Sequence, residues 1–165
     1  MKKKESYPLN QVLDVKVRRV EEAERVLIEK RRLLQIEQEN LKKVEAARDK
    51  VKEHRIAKLN QLREELDHGT TSDKVQQMKI YLKTVDEKLK VEEKKVKDQK
   101  IKVDAAQKEV DEAKHQLNVK RQEVDKLQTH KVRWEKEKRK ELELLEEKEM
   151  DEIGQIVYEL HRRKS

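Results

Sequence analysis

The sequence predicts an all-α chain, a long two-helix antiparallel coiled-coil hairpin in which helix two overhangs helix one. Three observations predict it. The 165 residues are 48% charged and 2% aromatic, and the dominance of Lys, Glu, Leu, Val and Gln is the composition of long helices. Single apolar residues recur every seven positions in two separate stretches. Between those stretches lies "LDHGTTSDKV", residues 66–75, which holds one of only two glycines. An apolar content of 33% is too low for an ordinary globular core of this length. Basic and acidic residues nearly balance, 43 against 36, which argues against a self-repelling disordered chain. Nothing alternates with period two, so strands are not expected.

The whole chain, 1–165, reads as a single elongated coiled-coil domain: helix one over about 9–67, a turn at 68–72 and helix two over about 73–161. In helix one, Leu13, Val20, Leu27, Leu34 and Leu41 fall seven apart and define the a row of a heptad. Its d row is weaker, with Lys16, Ala23, Lys30 and Glu37 before Val44 and Val51. In the turn, Gly69 can take the left-handed conformation that stops a helix. Thr71 or Ser72 can cap the first amides of helix two, and Asp73 suits its positive end. Helix two carries seven successive a residues, from Leu82 and Leu89 through Val96, Val103 and Val110 to Leu117 and Val124. Met78, Val85, Ala106, Ala113, Leu127 and Trp134 occupy its d row.

An antiparallel pair sets a residues of one helix beside d residues of the other. Pairing residues whose numbers sum to about 140 puts Leu62 by Met78, Val51 by Leu89 and Val44 by Val96. The same register sets large against small at Leu34–Ala106, Leu27–Ala113 and Ala23–Leu117, and brings Arg48 to Glu92. Beyond about residue 131 helix two runs out of partner. There the charges turn to blocks: residues 131–140 hold six basic and two acidic groups, and residues 141–152 seven acidic groups and one Lys.

No catalytic pattern emerges. There is no cysteine, hence no disulfide, thiol nucleophile or Cys-based zinc site. The five histidines never fall at i, i+3 or i+4, so helical metal-ligand spacing is absent. The glycines are isolated, which rules out a phosphate-binding loop. Carboxylates abound, but a solvated helix pair does nothing to shift their pKa for acid–base work. The expectation is a non-enzyme without cofactor or metal. The "MKKKE" start lacks an apolar stretch behind it and no apolar run reaches membrane-spanning length, so a cytoplasmic chain without membrane insertion is expected.

Two features suggest partners. Arg18, Arg25 and Arg32 repeat every seven residues on the outward f row of helix one, flanked by Arg19 and Arg31. They read either as a solvated face held by helical pairs such as Glu21–Arg25 or as a docking stripe for an acidic protein surface. Nucleic acid is disfavoured, because the interleaved Glu residues repel phosphate. Apolar residues also lie off the seam: Val12, Val15, Val26, Ile28, Leu33 and Ile36 in helix one, and Ile153, Ile156, Val157 and Leu160 in "IGQIVYEL". The last four stand at i, i+3, i+4 and i+7. They read as a broader seam, a dimer contact or a partner site.

The stretch "YPLNQVLDVKVRRVEEAERVLIEKRRLLQIEQENLKKVEAARDKV", residues 7–51, with one central turn and no cysteine, resembles the YscO/FliJ family of type III secretion stalk proteins, most of all its chlamydial YscO-like member. The resemblance covers the whole chain in architecture, and its particular residues are the "YPL…VLDVK…RR" opening. It implies a hairpin similar to the rotary ATPase γ subunit. It further implies a protein peripheral to the base of the secretion apparatus, whose terminal end enters the ring of the hexameric secretion ATPase and which also contacts the cytoplasmic domain of the export gate. Secretion chaperones and the needle-length regulator are further partners that the resemblance implies. It sets the five arginines and the apolar tail near the ATPase, and Ile80 with Tyr81 near the equivalent of the gate-binding region.

Overall fold

The computed structural model describes residues 5–164, and the first four residues, the start of "MKKKE", lie outside them. The described residues form two helices, α1 at Asn10–His68 and α2 at Ser72–Lys164, and no strand. They pack as an antiparallel hairpin. Each helix is within three residues of its expected bounds, the largest difference being that α2 continues to Lys164. Contacts divide the described residues into two units, one made of residues 24–115 and the other of 5–23 with 116–164.

The first unit contains the turn. Gly69 has φ +79°, the left-handed value that ends a helix at little cost only in glycine. The amide of Val75 donates to the Thr71 carbonyl at 3.2 Å, so Thr71 is the residue from which α2 starts. Asp73 stands in the first turn, where a carboxylate complements the helix dipole. A Cβ added at Gly69 would meet nothing within 4 Å, so a side chain there costs only its backbone strain. We expect Gly69→Ala to lower stability by about 1 kcal/mol and Gly69→Asn by less, since Asn tolerates this conformation. Equal melting of all three proteins would show that the turn does not need positive φ.

The buried residues of this unit follow the heptad. Leu27, Leu62, Val85, Val96, Val110 and Ala113 are its buried apolar side chains, and the a and d residues between them are half-buried. The register is visible in the polar contacts that cross the seam. Lys30 Nζ meets Glu109 Oε2 at 3.0 Å, Arg55 Nε donates to Asp86 and Gln99 Nε2 donates to the Glu37 carbonyl at 3.0 Å and its carboxylate at 2.5 Å. All of these pairs lie within a few residues of a sum of 140. Gln99 is the one buried polar residue among the described residues. Its amide is satisfied, so it specifies pairing with Glu37 at little cost in unmet hydrogen bonds. The expected Arg48–Glu92 pair does not form. Arg48 donates to Asp49 at 3.1 Å and Glu92 takes Lys95 at 3.5 Å, because each finds a carboxylate or ammonium nearer on its own helix.

In the second unit, Leu13, Leu117 and Val124 are buried, and Lys16 Nζ crosses to Glu123 Oε2 at 3.0 Å. That contact holds the Glu123 carboxyl below its usual pKa, first through the hydrogen bond and then through the charges of Lys16, Lys120 and Arg19. The pairing does not stop where α1 starts. The segment before it turns at Pro8, with the Asn10 amide donating to the Tyr7 carbonyl at 3.1 Å, and Pro supplies the fixed φ that position needs. Tyr7 is buried at 3% exposure and lies over α2. Its hydroxyl meets His130 Nδ1 at 2.5 Å, and its ring packs edge-on against Trp134 at 5.5 Å. Glu5 then reaches Lys138 at 3.2 Å. The expected loss of partner at residue 131 is therefore corrected to about 138, since a non-helical segment continues the seam. From Arg139 to Lys164 every residue is exposed.

Candidate partner-docking surfaces

The arginine stripe lies on α1. Arg18 and Arg19 belong to one unit and Arg25, Arg31 and Arg32 to the other. All five are exposed, because the f row and its neighbours point away from a seam built on a and d. The helical pair that forms is not Glu21–Arg25. Arg32 instead grips Glu29 with two bonds, Nε at 3.1 Å and Nη2 at 2.6 Å. This fork lowers the pKa of Glu29 and raises that of Arg32. Arg18, Arg25 and Arg31 have no hydrogen bond or ion pair among the described residues. Their guanidinium forks remain available to planar acidic groups.

Apolar side chains share this helix. Val26, Ile28, Leu33 and Ile36 are between 38% and 66% exposed, in step with the arginines rather than with the seam. A surface that alternates Arg forks with aliphatic residues combines steering charge with area to bury.

The tail of α2 is the second surface. Ile153 and Ile156 are each 57% exposed, Val157 48% and Leu160 53%. Their spacing places them on one stripe of the helix. Leu142, Leu144 and Leu145 are exposed upstream.

Ile80 and Tyr81 form a third, smaller place. Ile80 is 67% exposed. Tyr81 is tied back to α1, its hydroxyl 2.7 Å from His54 Nε2, its ring edge-on to His54 and Lys58 Nζ 5.7 Å from its centroid. A partner there meets a positioned ring rather than a mobile one.

Among the described residues, no group of three or more His, Asp or Glu is arranged to hold a metal ion. No helix of theirs is long and apolar enough to cross a membrane. Tyr7 and Gln99 are structural anchors that sequence reading passed over. The register contains the signal, since a sum of about 140 carried upstream of helix one places residue 7 beside 133.

The family model for YscO-like proteins matches residues 4–164. Among solved structures, the chain is similar to CT670 from Chlamydia trachomatis, a candidate YscO homolog, with 49% identity and a TM-score of 0.94 over 98% of this chain and all of that one. It is also similar to a chain in the Chlamydia pneumoniae CdsV and CdsO protein complex, with 57% identity over 51% of this chain and 98% of that one and a TM-score of 0.49. No curated protein matches the sequence.

Proposed function

Because this chain belongs to the YscO-like family of type III secretion stalk proteins, we propose that it is a non-enzymatic central stalk that couples the hexameric secretion ATPase to the export gate. The observation that carries this reading is the exposed arginine row of α1, with three guanidinium groups that engage no group among the described residues. In this reading Arg18, Arg19, Arg25, Arg31 and Arg32 meet acidic groups of the ATPase ring. Ile153, Ile156, Val157 and Leu160 supply the apolar part of the same contact. Ile80 and the positioned Tyr81 meet the cytoplasmic domain of the gate. Chaperones and the needle-length regulator bind as further partners at the base of the apparatus.

The mechanism is mechanical and electrostatic. A helix pair presents different side chains to each of the six ATPase interfaces, so the interfaces cannot be equivalent while it is bound. Differential contact is the only way a partner without chemistry of its own can bias which interface is competent.

Reversing Arg18, Arg25 and Arg32 to Glu tests it. Helicity and melting should change little, since exposed pairs such as Glu29–Arg32 are screened by water and add little to stability. Binding to the purified hexamer should weaken at least tenfold, and binding of the unaltered chain should fall with salt. Undiminished binding and ATPase stimulation by the triple variant would return the stripe to a solvated face.

A further inference from the structure

We propose that residues 149–164 form an antiparallel contact with the same segment of a second copy of this chain. The proposal goes beyond the stalk function, and its failure would leave that function standing. Two independent features of the tail point to it. The first is the apolar stripe. Ile153 and Leu160 are its ends and Ile156 and Val157 its middle, all about half exposed. The midpoint of this stripe falls between residues 156 and 157.

The second feature is charge. Residues 149–152, "EMDE", carry three acidic groups, and residues 161–164, "HRRK", carry three basic groups beside His161. The blocks stand about 18 Å apart along the helix, too far for one to pair with the other within a single copy. Their common midpoint also falls between residues 156 and 157. A second copy reversed about that point sets Ile156 by Val157 and Ile153 by Leu160. It also lays each acidic block along the other copy's basic block, twice over by symmetry.

A parallel arrangement would instead set acid against acid and base against base, which costs stability. The arrangement is isologous, the commonest symmetry among soluble oligomers. No described residue folds over this segment to compete, for every residue from Arg139 to Lys164 is exposed. The dimer and a complex that uses the same stripe exclude each other, so self-association would hold the free chain away from its partner.

Charge reversal tests the pairing in the full-length chain. One variant carries Arg162→Glu, Arg163→Glu and Lys164→Glu. The other carries Glu149→Lys, Asp151→Lys and Glu152→Lys. By sedimentation velocity the unaltered chain should show a concentration-dependent dimer, and each variant alone should dimerise at least tenfold more weakly. An equimolar mixture of the two should recover dimer, because acid then faces base at both ends. Circular dichroism keeps the result interpretable if a variant loses helix, and Ile156→Asp serves as a second disruption that leaves the charge blocks intact. A monomeric unaltered chain at all concentrations, or variants that dimerise alone as well as mixed, would overturn the proposal.

Discussion

Val96→Asp should unfold the hairpin at markedly lower temperature, while Val91→Asp should be nearly silent. Val96 is 3% exposed and Val91 54%, though both are valines in the same helix five residues apart. A carboxylate at 96 is buried on the seam by a side chain too short to reach water. Glu37, hydrogen-bonded to Gln99, and the half-buried Glu45 and Glu92 place acidic groups in the same stretch of the hairpin. Burying an unpaired charge costs several kcal/mol, which for a chain of this length is a fall of about 10 °C in Tm. Aspartate is a sharper probe than lysine here. Lys16 and Lys30 already sit on the d row, and each reaches a glutamate across the seam at 3.0 Å, so this hairpin accommodates lysine by letting it snorkel. Equal melting of the two aspartate variants would mean that the seam runs along a different face.

Tyr7→Ala should release the segment before α1 and expose Trp134. Tyr7 loses its packing against the Trp134 ring and its hydroxyl contact with His130. Truncating a buried aromatic costs about 3–5 kcal/mol where the surroundings cannot collapse. Here the segment can instead detach, so the loss is taken locally and global melting falls by less. Trp134 is the one tryptophan of the chain, and its fluorescence should shift to the red. Hydrogen exchange should quicken over residues 5–13 and stay slow near Val96 and Val110. Tyr7→Phe should keep the packing and behave almost as the unaltered chain, since the exposed His130 finds water for its free nitrogen. Unchanged Trp134 emission in Tyr7→Ala would show that the ring contributes nothing to this cover.

Position by position, heptad spacing alone was enough to tell which side chains face the seam. Val85, Val96, Val110, Leu117 and Val124 are buried at the a and d sites that period assigns. A chain with few apolar residues and many charges has no other way to remove them from water. Gly69 was equally legible, because a single residue able to take positive φ between two unbroken helical stretches leaves little choice of turn. The arginine row was legible as exposed, but which of its members are paired was not. Whether Arg25 meets Glu21, or Arg32 meets Glu29, depends on rotamers that several i, i+3 and i+4 carboxylates compete for at nearly equal energy.

What only the tertiary structure decided is where the seam ends and which charges cross it. Tyr7 lies outside any heptad, in an irregular segment whose path depends on the turn at Pro8 and on the aromatic surface that α2 offers. Arg48 had Glu92 opposite in register, yet Asp49 on its own helix won it. The sequence determined the periodic part because burial of one stripe is a sum over many residues, and no local competition can outweigh it. The aperiodic contacts rest on one or two groups each, so their outcome waits for the three-dimensional surroundings.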